Sequence, residues 1–215
     1  MAQSISTLYY VHDPMCSWCY AFSQSWAGLQ RELPVDVRVS YLVGGLAPDA
    51  TEPMPVSMQE TIQQAWQRIE HTVPGVAFNW NFWTQNTPVR STYPACRAVL
   101  AAKKQRTEAE QEMIEAIQNA YYQRAMNPSL AETLQACARE IGLDVQAFKK
   151  DIVSLALEQA LQRDIQQARS MDVYSYPSLR LVHKDGVFPI AVDYRDHRPM
   201  LTEIERIVTA RCSVG

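Results

Sequence analysis

The chain is 215 residues long, 47% of them hydrophobic and 20% charged, with a formal net charge of -3. That balance belongs to a folded globular protein and excludes a disordered or low-complexity chain. It offers no basic footprint for a nucleic-acid backbone and no run near the roughly 18 apolar residues of a spanning helix, so neither nucleic acid nor a membrane is expected as a partner.

Met1 to Thr7 carries no positive cluster ahead of an apolar stretch, and a cytoplasmic location is expected. Ser6 to His12 is β-rich and stops at the turn signal Asp13-Pro14, which reads as a first strand. From Cys16 to Leu33 the apolar residues Phe22, Trp26, Leu29 and Leu33 recur at helical steps, and Pro34 closes the helix. Val35 to Val43 alternates apolar and polar residues as a half-buried strand does, and Gly44-Gly45 ends it.

Pro48, Pro53 and Pro55 mark a loop, after which nearly everything from Ser57 to about Ser170 reads as helix. Apolar stripes run through Met58, Ile62, Trp66 and Ile69, through Ile114, Ile117 and Tyr121, and through Leu130, Leu134, Cys137 and Ile141. Thr107 with Glu110 and Ser129 with Glu132 have capping-box spacing. One long helix is expected to begin near Asp144 and run through Phe148, Ile152, Leu155 and Ile165, whereas the aromatic segment Phe78 to Trp83 reads as irregular. Strand character returns at Leu179 to Val182, Lys184-Asp185-Gly186 supplies a hairpin turn, and Val187 to Val192 returns. A final helix holds Pro199 near its first turn and Leu201, Ile204, Ile207 and Val208 on its apolar face.

Five cysteines make an odd count, a poor fit to a fully paired secreted scaffold. Cys96, Cys137 and Cys212 stand alone and read as reduced, buried thiols. Cys16 and Cys19 are different, because the pair directly follows a strand and opens a helix, where free backbone amides and the helix dipole favour an anion. Only a thiolate attacks a disulfide, so Cys16 is the candidate nucleophile; Cys19, one turn on, is the candidate resolving thiol. A zinc site would need about four ligands, yet there is no second Cys-x-x-Cys and His12, His71, His183 and His197 show no paired spacing, so no metal is expected.

Asp13-Pro14-Met15-Cys16-Ser17-Trp18-Cys19-Tyr20 resembles the active-site segment of the DsbA-like branch of the thioredoxin superfamily, most of all FrnE-like proteins. Ser17 departs from the proline common there. Tyr174 to Leu179 resembles the loop bearing that superfamily's cis-proline. The likeness implies that Pro177 packs beside Cys16 and that the Tyr176 backbone pairs with substrate, although an isolated X-Pro bond reads as trans. Ser91 to Ala98 resembles the start of the central helix of the inserted block in these relatives.

The resemblance implies an α/β, thioredoxin-like fold with a large all-helical insertion: residues 1–45 and 171–215 forming the thioredoxin-like domain and 46–170 the insertion. It further implies a thiol-disulfide oxidoreductase using Cys16 and Cys19, with Tyr176 and Pro177 at the substrate; Trp18, between the cysteines, reads equally as a wall of the substrate groove and as simple packing at a helix start. No cofactor is expected beyond glutathione as a redox partner, and the partner is a disulfide- or dithiol-containing protein client or glutathione. Relatives of the same architecture suggest two alternatives, a glutathione-binding isomerase or transferase of the kappa-class type and a non-catalytic protease adaptor of the YjbH type. His12 and Asp13, beside the nucleophile, could tune the thiolate but read first as strand end and turn, and Arg90 and Arg97 could face an anionic substrate but read first as solvated surface arginines.

Overall fold

A computed structural model describes residues 5–209, which places Cys212 outside the described residues. Four strands form one mixed sheet in the order β2-β1-β3-β4. β1 (Ser6–His12) pairs in parallel with β2 (Val37–Val43) from Ser6 opposite Val37 to His12 opposite Val43. Parallel neighbours need a crossover, and α1 (Ser17–Glu32) supplies it. β3 (Ser178–His183) runs antiparallel to β1 and turns through Lys184-Asp185 into β4 (Gly186–Ile190). The described residues end in α9 (Arg198–Thr209), whose apolar stripe through Met200, Ile204 and Ile207 is buried.

The even-numbered side chains of β1 point to one face. Leu8 and Tyr10 pack there with Phe22, Trp26 and Leu29 of α1, Leu179 and Leu181 of β3, and Ile204 of α9. The odd-numbered face carries Val11, which packs with Leu42, Ala168, Met171 and Val173. Alternation of this kind is the period-two signature that makes the strand legible.

Between β2 and β3 lie seven helices: α2 (Val56–Thr72), α3 (Phe82–Gln85), α4 (Tyr93–Gln105), α5 (Ala109–Tyr122), α6 (Ala131–Glu140), α7 (Val145–Ile152) and α8 (Leu155–Ser170). α4 is central, and its small side chains Ala95, Ala98, Ala101 and Ala102 let α5, α6, α7 and α8 approach closely. Trp66 of α2 is fully buried and stacks on Phe78 at 4.5 Å, with Trp83 and Tyr122 at its edges. Burying an aromatic of that size contributes about 3 kcal/mol, which explains why Phe78 to Trp83 holds its shape with only the short α3 in it.

Four sequence expectations need correcting. The long helix from Asp144 is two helices, because Ser154 caps α8 by accepting from the Leu157 amide and so starts a new axis after Ile152. Neither capping box forms: Glu110 is drawn to Lys103 at 3.0 Å, and the Ser129 hydroxyl donates to the Ser91 carbonyl at 2.9 Å. Val35 is 99% exposed in the turn before β2, so the inward face of that strand begins at Val37. Finally, β4 ends at Ile190, two residues short of Val192. No helix among the described residues is long and apolar enough to cross a membrane.

Candidate active site

β1 ends at His12, and a tight turn carries the chain to Cys16, whose amide donates to the Asp13 carbonyl at 3.0 Å. Cys16 is the N-cap of α1, with extended backbone (φ -82°, ψ 117°), and its carbonyl accepts from the Tyr20 amide at 3.1 Å. Cys19 follows one turn later, fully buried, while Cys16 keeps 7% of its surface exposed. Both thiols are free.

The two sulfurs titrate in opposite directions. The neighbouring Cys19 thiol is the largest influence holding the Cys16 pKa below its ordinary value; burial opposes it, and the Trp18 and Cys19 amides of the helix start add to the lowering without closing a cap hydrogen bond. Cys19 is pushed well up, first by burial and then by the neighbouring Cys16 thiol. One sulfur is thus prepared to ionise and the other to stay protonated, the division of labour that a two-step disulfide exchange requires.

Asp13 ties the turn to the helical block. Its buried carboxylate accepts from the amides of Met15 (2.9 Å) and Leu46 (2.7 Å) and from the Thr92 hydroxyl (2.6 Å), with the Cys96 thiol at 3.5 Å. Burial raises its pKa and these donors lower it. Tyr122 of α5 adds a second tie by donating to the Met15 carbonyl at 2.7 Å.

Pro177 is buried, and the Tyr176-Pro177 bond is cis. The Tyr176 carbonyl lies 3.5 Å from the Cys16 sulfur and accepts from its thiol. The Tyr176 ring lies over Gly44, and its hydroxyl donates to the Gly44 carbonyl at 2.5 Å. A Cβ on Gly44 would sit 2.1 Å from that ring, so glycine is required for the close approach. Trp18 is half-buried, 5.0 Å from Tyr194 and under the guanidinium of Arg68 at 5.1 Å. The structure therefore gathers Cys16, Cys19, Trp18, Tyr176 and Pro177 at one end of the sheet.

Other candidates fall away from the chemistry assigned to them. His12 has no exposed surface, neither ring nitrogen has a partner, and burial lowers its pKa to about 3, so it is neutral and brings no positive charge to Cys16. Arg97 is engaged by Asp49 (2.7 Å) and Glu158 (2.8 Å) and does not wait for an anion. Arg90 is half-buried near Met15 and Tyr121. Sequence reasoning did not single out Gly44, Arg68 or Tyr194, and no local spacing points from them to the site.

A sequence model of the thioredoxin family matches residues 9–187. The chain belongs to the thioredoxin family. Among curated relatives this thioredoxin-family chain is 26% identical over 196 residues to the ClpXP adapter protein SpxH of Halalkalibacterium halodurans, covering 89% of the present chain and 63% of that protein. It is 31% identical over 119 residues to SpxH of Bacillus subtilis, covering 55% of the chain and 40% of that relative, so it spans less than two thirds of the adapters' length. Solved structures share the fold of DsbA-like oxidoreductases. The cytosolic disulfide reductase DsbM of Pseudomonas aeruginosa, also solved with GSH, superposes with a TM-score of 0.76 at 21% identity over 94% of this chain and 98% of its own. Oxidoreductase DsbA of Xylella fastidiosa superposes at 0.61 with 14% identity over 97% of this chain and 86% of its own.

Proposed function

We propose that the chain is a thiol-disulfide oxidoreductase that reduces or isomerises disulfides of a protein client or of a small molecule such as glutathione. The carrying observation is the pairing of Cys16, its pKa lowered at the mouth of α1, with a fully buried Cys19 one turn further in, its pKa raised. Cys16 thiolate attacks one sulfur of the substrate disulfide, and the other sulfur leaves with the electron pair. Cys19 then attacks Cys16, closes the intramolecular disulfide and releases the substrate as a thiol. The Tyr176 carbonyl beside Cys16 offers an acceptor for a substrate backbone amide, and Trp18 offers it an aromatic wall.

A reducing direction and a cytoplasmic location are part of this proposal, supported by the likeness to the cytosolic reductase DsbM. Reduction of a disulfide-bonded test protein in the presence of dithiothreitol or glutathione tests it. Cys16→Ser should abolish turnover, and a mutant as active as the parent would remove the mechanism.

The similarity to SpxH supports a second reading, a protein-binding adapter in which the thiols are secondary. On that reading a double Cys16→Ser, Cys19→Ser variant binds its client as tightly as the parent does; on the first, client capture as a mixed disulfide requires Cys16.

A further inference from the structure

The segment after β4, residues 191–197, lies along α1 and is held at three points. Ser25 Oγ donates to the Asp193 carbonyl at 2.6 Å, and Arg195 Nε donates to the Thr72 carbonyl at the end of α2 at 2.7 Å. The His197 ring packs so closely on Gly28 that a Cβ there would sit 2.5 Å from Nδ1. Between these ties opens a cleft of about 340 Å³, with Arg31, Tyr194 and Arg195 among its walls. It starts beside the dithiol, because the Tyr194 ring that lines it also meets Trp18 at 5.0 Å, and the Arg68 guanidinium lies over that same indole at 5.1 Å.

Arg68, Arg195 and Arg31, all exposed, thus stand along one path leading away from Cys16. Among the described residues no carboxylate pairs with any of them. The carboxylates near the cleft face other groups: Asp193 accepts the Arg195 and Asp196 amides, Asp196 pairs with Arg198, and Glu32 pairs with His197. Arg68 and Arg195 are nonetheless positioned, one by an indole face and the other through Nε alone. A guanidinium fixed by uncharged partners keeps its terminal N–H groups for a carboxylate, which it grips with paired donors. In a chain of net charge -3, unpaired cations beside the nucleophile reverse the overall sign locally.

We propose that this cleft binds an acidic segment of the protein client whose disulfide Cys16 attacks. The inference rests on the oxidoreductase reading above and names the class of client. Trp18 and Arg31 both belong to α1, and their separation along it is about 20 Å at ~1.5 Å per residue. An extended client advances ~3.3 Å per residue, so with its cysteine at Cys16 it lays residues up to about six positions away alongside Arg31. Aspartates or glutamates within that distance of the reactive cysteine meet the arginines. Exposed ion pairs are individually weak, but several acting on one segment select among clients and speed encounter.

The test uses two peptides, each dimerised through a single cysteine disulfide, one flanked on both sides of the cysteine by glutamates and the other by glutamines. Reduced protein is mixed with each, and the second-order rate of peptide thiol release is divided by the rate with dithiothreitol, which removes the direct effect of glutamate on the disulfide. Hydroxyethyl disulfide, uncharged and too small to reach the cleft, reports the dithiol alone. The parent should favour the glutamate peptide about fivefold or more at low salt, and about 1 M sodium chloride should erase the preference. The double variant Arg31→Gln, Arg195→Gln should bring the two peptides to similar rates and leave hydroxyethyl disulfide unchanged, while Arg31→Glu, Arg195→Glu should reverse the order. Equal normalised rates in the parent, or a preference that survives the charge reversal, overturn the acidic-client inference and leave the oxidoreductase reading standing. A parent that reduces no disulfide, hydroxyethyl disulfide included, overturns the oxidoreductase reading itself.

Discussion

Replacing His12 by leucine and following urea unfolding at pH 7 and pH 5 measures what the strand end beside the dithiol costs the fold. The ring is enclosed by Tyr10 at 5.2 Å and Tyr41 at 5.9 Å, and both of its nitrogens are unpartnered. Burial, with a smaller contribution from the Lys103 charge, lowers its pKa from 6.5 to about 3. Between those values the unfolded chain binds a proton that the native protein refuses, so stability rises with pH across that window and falls as pH drops from 6.5 toward 3. At pH 5 the gap between 6.5 and the working pH is 1.5 units, which at 1.36 kcal/mol per unit is about 2 kcal/mol lost relative to neutral pH. The raised pKa of Asp13 acts with the opposite sign, but it is present in both proteins and cancels in the comparison. His12→Leu should therefore lose about 2 kcal/mol less than the parent between pH 7 and pH 5. At pH 7 it should be no less stable, since two unsatisfied buried nitrogens are removed. Parallel losses in the two proteins, read as equal shifts of the urea midpoint at equal slope, would refute the claim that His12 is held neutral.

Other substitutions probe the remaining ties. Gly44→Ala puts a Cβ 2.1 Å from the Tyr176 ring and should cost about 1–3 kcal/mol. Because the displaced loop carries the carbonyl beside Cys16, it should also lower the Cys16 alkylation rate, and an unchanged rate would separate loop from nucleophile. Asp144→Ala removes the acceptor for the Gln146 and Ala147 amides and should cost about 1 kcal/mol in a thermal melt. Thr107→Ala, which touches no cap, should stay within about 0.5 kcal/mol of the parent; a larger loss would restore the capping box.

What the sequence discloses is mostly what lies close together along the chain. Cys16 and Cys19 are legible because strand, turn and helix start fall within a few residues, and β1 is legible because its alternation ends at Asp13-Pro14. Tyr176 and Pro177 are reachable only through the motif around them. The ties that shape the site are long-range: Tyr176 meets Gly44 across 132 positions, and Asp13 meets Thr92 across 79. No periodicity encodes such pairs. The break at Ser154 is hidden for another reason, since apolar residues continue in helical step from Phe148 to Leu155 and only a cap ends the axis. The false capping boxes at Thr107 and Ser129 reflect competition, since Lys103 and the Ser91 carbonyl claim groups that the short pattern assigns to helix starts.

The central claim is that Cys16 ionises far ahead of Cys19 in the same reduced molecule. Alkylation by iodoacetamide as a function of pH, with the modified cysteines located by mass spectrometry, reads this directly. Cys16 should react with a midpoint below the ordinary thiol value of about 8.5, and Cys19 should remain unmodified throughout that range. Modification of Cys19 first, or of both thiols together at an ordinary midpoint, would contradict the account.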